Sequence, residues 1–254
     1  MEQNNIFNLK RFQFFFKRHL LLNYKALLTA FAAISGALIV IAVLTSIGSK
    51  AIHKESFVVL SYVALFLGGA IITSLSFSEL HKPEKSIHYL TLPASGFEKV
   101  LSTWLHTSVI FLIVSVGFFY LSWYLASGLA FVITGSPLAT LNLFSAGLWK
   151  IIGVYFIVHP YFFLGAVYFK GYNFLKTLLA LFLLAVFQSM VQSVLSLILF
   201  GQQFFNSMNA MGPSFTGTDF LENTLLPILK ILGFYIIPVF LLIVSYIRFN
   251  EREV

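Results

Sequence analysis

Residues 26–47 read ALLTAFAAISGALIVIAVLTSI, 22 positions without one charged side chain. A helix of that length rises about 33 Å at 1.5 Å per residue, enough to cross the roughly 30 Å hydrocarbon core of a bilayer. Five further apolar runs follow at 57–77, 100–126, 148–169, 175–200 and 228–247. The third stays apolar as far as Ile133, long for one span, so it either tilts or ends in a separate interfacial turn near Ser127-Gly128. Composition agrees: of 254 residues, 59% are hydrophobic, only 10% are charged, Phe occurs 30 times, and mean hydropathy is +0.90. Soluble domains carry about 25% charged residues. Even a 300-residue globule buries only about 75% of its chain surface. These proportions exclude a soluble enzyme and a nucleic-acid-binding domain. No alternating pattern of about 10 residues recurs, which argues against an outer-membrane barrel. The expected fold is an all-α polytopic membrane protein: six transmembrane helices over 26–254, preceded by a helical segment over 1–25.

Charge orients the spans. Lys10, Arg11, Lys17, Arg18 and Lys25 precede the first run. Lys82, Lys85 and Lys99 lie between the second and third, Lys170 and Lys176 between the fourth and fifth, and Arg248 and Arg252 near the C-terminus. These twelve share one side, against Lys50, Lys54, Lys150 and Lys230 on the other. Cytoplasmic loops collect Lys and Arg, so both termini are expected in the cytoplasm. The loops 127–147 and 201–227 contain neither residue and are expected to face out. The net charge of +7 is thus read as topology, with no nucleic-acid partner expected. Without cysteine, the chain has no disulfide, Fe–S or thiolate zinc chemistry. About 25 residues precede the first run, and no cleavable signal peptide is expected.

Two segments outside the spans carry a pattern. Placed on a helix, Lys10, Arg11, Lys17, Arg18 and Lys25 fall within an arc of about 120°. Leu9, Phe12, Phe16 and Leu20 cluster opposite, while Phe7, Phe14 and Leu21 interrupt the polar side. This is an N-terminal basic amphipathic interface helix, serving as an orientation anchor or as a contact for a cytoplasmic partner. The loop 78–99 reads SELHKPEKSIHYLTLPASGFEK. Glu79, Lys82, Glu84 and Lys85 mix charges there, and Ile87, Tyr89, Leu90 and Leu92 add an apolar side. Ser95 and Glu98 fit a capping box, so the third span is expected to begin just after Ser95.

The amphipathic N-terminal helix, the six spans and the stretch Tyr89-Leu-Thr-Leu-Pro-Ala-Ser95 with Glu98-Lys99 resemble the permease subunits of ABC-2 type exporters. Many bacterial members carry an L-P-x-S segment in this loop. The architectural likeness covers essentially the whole chain, the local motif about ten residues. The resemblance implies the bacterial inner membrane and a separate ABC ATPase that holds ATP and Mg. It assigns contact with that ATPase to Lys10, Arg11, Lys17, Arg18, Glu79, Lys82, Glu84 and Lys85. It also implies a second permease copy or paralogue, and short re-entrant helices within 201–227. The chain itself has no G-x-x-x-x-G-K-[ST], so no nucleotide cofactor is expected on it.

Within the spans, Gln188, Gln192 and Ser196 share a helix face with Ser189 and Ser193 beside them. This stripe lines a substrate path or a dimer seam, or serves interhelical hydrogen bonding. Ser61, Ala64 and Gly68, with Gly69 and Thr73, form a small-residue packing face. His106 and His159 are read as histidines satisfied within the bundle, with a kink expected at Pro160. No H-E-x-x-H or G-x-S-x-G occurs, and Asp219 and Glu222 have no histidine near them in sequence. No acid falls inside a span, which argues against a proton-coupled carrier. The alternative to a non-enzymatic transport subunit is a membrane enzyme or assembly scaffold, its site on the 78–99 loop where His81 and His88 accompany Glu79 and Glu84.

Overall fold

The computed structural model describes residues 7–49, 51–80, 86, 91–142, 145–200 and 226–251. Six of its helical runs are long and apolar enough to span a membrane. They are α1 (Leu9–Ser49), α2 (Lys54–Leu75), α3 (Gly96–Leu105) continued into α4 (Phe111–Thr134), α5 (Ala146–Tyr168), α6 (Asn173–Phe200), and α7 (Leu226–Ile231) continued into α8 (Ile237–Asn250). The two composite runs are joined by π-helical turns, His106–Ile110 and Leu232–Ile236. Among the described residues there is no strand. Internal hydrogen bonding explains the helical monotony, because hydrocarbon offers no partner to an open backbone group.

Two boundaries differ from the sequence reading. The basic segment and the first span form one uninterrupted helix, α1, so the boundary expected at 25/26 falls inside it. The third run does not turn at Ser127-Gly128; it continues to Thr134 and ends where Gly135 takes φ +70°. One glycine costs a helix only about 1 kcal/mol, less than exposing backbone groups to lipid. Ser127 is instead used in packing: its hydroxyl accepts the Ala139 N–H at 3.0 Å, and the Trp123 indole donates to the Ala139 carbonyl at 2.8 Å. These bonds fold the chain after α4 back along the helix.

Three apolar clusters hold the bundle. At one end Phe15, Phe77, Val100, Phe163, Val167 and Phe249 meet, from α1, the end of α2, and helices α3, α5 and α8. Phe15 and Phe249 place the described chain's two ends together there. The middle is built on Phe31, Leu65, Phe111 and Tyr155. The far end is built on Leu38, Ala42, Phe57, Trp123 and Ala126. The expected small-residue face of α2 does pack. A methyl group on Gly69 would lie 2.6 Å from the Tyr155 ring, and one on Gly68 would lie 3.4 Å from Phe111. Ser61 and Thr73 of the same face are buried.

Helix α6 stands apart. Asn173 anchors its start, donating to the carbonyls of Ser74 and Ala166, each at 3.3 Å. Gly171 (φ +66°) and Tyr172 (φ +50°) turn the chain from α5 into it. Beyond Thr177 no described side chain of α6 is buried.

Candidate functional site

The described end of the bundle nearest the termini is organised by Glu98. Ser95 caps α3, its hydroxyl accepting from Glu98 N at 3.2 Å, while Glu98 Oε2 accepts from Ser95 N at 2.9 Å. The capping box read from sequence is therefore formed. Glu98 Oε1 also accepts from Asn8 N at 2.5 Å and from Arg11 Nη2 at 3.1 Å. Asn8 Oδ1 in turn accepts from Lys10 N at 3.0 Å. One carboxylate with 0% exposure thus closes the N-termini of both α1 and α3. Such a group is tolerated inside only when its oxygens are met by donors, as they are here.

The residues singled out for coupling therefore divide. Arg11 is engaged in the ion pair with Glu98. Lys10 and Lys17 are exposed, and Arg18 and Glu79 are half-buried. Lys82, Glu84 and Lys85 lie outside the described residues, as do His81, His88 and the segment 201–225. Of the expected apolar face of α1, Phe12, Phe16 and Leu20 are half-buried and Leu9 is exposed. Phe15 and His19, which the wheel did not single out, are its buried residues here. Their spacing of four is a legible helix-face signal, but an i, i+4 Phe–His pair is too common to mark a site.

Next to this end lies a polar cavity of about 320 Å³ between α1, α2 and the first π-helical turn. Arg18 and His19 line it from α1, Ser76, Ser78 and Glu79 from the end of α2, and His106 with Thr107 from the turn. The His19 and His106 rings meet edge to face, centroids 4.8 Å apart. Burial, then His106 and Arg18, lower the pKa of His19 to about 4, so its ring is neutral at pH 7. Thr107 is the hinge of the buried polar set. Its hydroxyl hydrogen-bonds His159 Nε2 at 2.9 Å, and its carbonyl accepts the Tyr155 hydroxyl at 2.8 Å. His159 is thus bonded to a hydroxyl through Nε2, while its Nδ1 is buried without a hydrogen-bond partner, so it is only half satisfied within the bundle. The Nδ1 atom of His106 is buried without a hydrogen-bond partner.

The proposed path residues sit elsewhere. Gln188, Gln192 and Ser193 are all on the exposed surface of α6, and the Ser196 side chain lies outside those described. Ser193 Oγ donates to Ser189 O at 2.9 Å, satisfying itself along its own helix. Among the described residues the stripe lines neither the polar cavity nor the one at the far end. A separate cavity of about 400 Å³ opens at the far end, lined by Lys54, Glu55, Tyr62, Tyr120 and Asn142 among others. Among the described residues no group of three His, Cys, Asp or Glu is placed to hold a metal ion.

Comparison of the chain with protein-family models, with curated proteins and with solved structures found no match.

Proposed function

We propose that this chain is the membrane-spanning permease subunit of an ABC exporter, one half of a transport unit driven by a separate ATPase. The observation that carries the reading is the joint at Glu98. The Leu92-Pro93-Ala94-Ser95 segment caps the third span, and the same carboxylate ties down the start of the basic helix α1. The described end of the loop that the family resemblance assigns to ATPase contact is thereby joined to the start of α1. Lys10 and Lys17 project from it.

In this reading the end with the termini is cytoplasmic. Lys10, Arg11, Lys17, Arg18, Lys25, Lys99, Lys170, Lys176 and Arg248 belong to it, whereas Lys54, Lys150 and Lys230 belong to the far end, among the described residues. Substrate is amphipathic, peptide-like or lipid-like, and passes along α6 where a second permease meets it. A helix with no buried described side chain beyond Thr177 and a Gln and Ser stripe favours a protein neighbour over lipid on that face.

Photo-crosslinking tests the docking surface. A crosslinker placed at 10 or 17 is expected to capture a nucleotide-binding ATPase in native membranes. Adducts with lipid alone would make α1 an orientation anchor and overturn the coupling role.

A further inference from the structure

The polar cavity beside Arg18 has an unusual charge layout. Among its described lining residues, Arg18 is the only cation at neutral pH and Glu79 the only anion. They come from different walls, α1 and the end of α2, and form no ion pair with each other. Two opposite charges that line one cavity without pairing match a ligand that carries both signs.

The floor points the same way. His106 lines the cavity, and an imidazole can donate or accept a hydrogen bond there. Ser76 Oγ donates to Thr73 O at 2.7 Å, which leaves its lone pairs to accept from a ligand. The rim is apolar and exposed: Leu22 at 59%, Ile71 at 43% and Leu75 at 58%. Arg18 and His19 precede the apolar window of α1, which begins at Leu27, while Leu27, Ala30, Ile71 and Ile72 lie within the spans, so the cavity straddles the boundary between headgroups and hydrocarbon.

We propose that this cavity binds the headgroup of an aminophospholipid of the phosphatidylethanolamine class, with its acyl chains leaving over Leu22, Ile71 and Leu75 into the surrounding leaflet. Arg18 pairs with the phosphate. Glu79 and Ser76 accept from the primary ammonium. His106 meets the headgroup at the floor. A quaternary ammonium has no N–H to give Glu79, and a glycerol headgroup leaves that carboxylate without a cation. The site does not depend on the exporter reading.

Native mass spectrometry of the full chain in detergent tests it, with phosphatidylethanolamine, phosphatidylglycerol and phosphatidylcholine of identical acyl chains. Retention of phosphatidylethanolamine is expected to exceed the other two about tenfold, the worth of one charge-assisted hydrogen bond. Glu79→Gln is expected to abolish the preference over phosphatidylglycerol, and Arg18→Gln to weaken binding of both. Equal retention of the three lipids by the unmodified protein would overturn the proposal, whatever the variants do. Displacement of the lipid by soluble phosphoethanolamine at matched concentration would assign the cavity to a free metabolite and overturn the lipid assignment.

Discussion

At the scale of single residues, Glu98 and His19 carry the most. Glu98→Ala removes the acceptor for two helix starts and leaves Arg11 without its partner. Breaking a buried pair in this way costs about 3–5 kcal/mol, lowered here because the Arg11 side chain is 36% exposed. Thermal melting in detergent is expected to show that loss, with Glu98→Gln losing less because it keeps an acceptor for the capping box. His19 gives a pH signature. Its pKa falls from 6.5 in the open chain to about 4 in the fold, so the unfolded state takes up its proton first as pH drops. The stabilisation is complete above pH 6.5 and is lost toward pH 4, a loss of about 3 kcal/mol. Melting measured across that range is expected to decline steeply, and His19→Gln to flatten the decline. An unchanged slope would contradict the assignment. The capping box was legible because Ser95 and Glu98 are three residues apart and the pattern is local. The Arg11–Glu98 bond spans 87 positions, and no local pattern announces it.

At the scale of elements, the contact of α2 with α5 rests on Gly69 beneath the Tyr155 ring. That ring cannot swing away freely, because its hydroxyl is bonded to Thr107 O. Gly69→Ala is therefore expected to overpack the joint and cost about 1–3 kcal/mol, read as a lower melting temperature. A Gly117→Ala control, where the added methyl meets nothing within 4 Å, is expected to be near neutral. The six spans could be read from hydrophobic length alone, since 20-residue apolar runs have few other uses. The π-helical turns at His106–Ile110 and Leu232–Ile236 could not, because no residue there is diagnostic of a widened turn. The first of these turns carries His106 and Thr107, so the geometry that brings them to the cavity was not legible even though His106 itself was singled out. Nor did the sequence separate a surface-lying N-terminal helix from one continuous with the first span, because the basic arc of α1 is the same in both.

At the scale of the whole molecule, the bundle is asymmetric. Helices α1 to α5 and α8 share cores, while α6 is held only by its first turns. In the exporter account a second permease covers that face. The chain has no native cysteine, so single substitutions give clean reporters. Gln188→Cys or Gln192→Cys is expected to form a disulfide-linked dimer under mild oxidation if the partner is a second copy, and Val132→Cys, on exposed α4, is expected to stay monomeric. Absence of cross-linking from either glutamine position would remove α6 from a seam between like copies. The central claim concerns the missing engine, since the chain carries no nucleotide-binding motif of its own. Its most direct test is purification of the tagged protein from native membranes in mild detergent, with mass spectrometry of the proteins that accompany it. The account predicts a nucleotide-binding ATPase in stoichiometric amount. A clean preparation without one, in good yield and in more than one detergent, would contradict it.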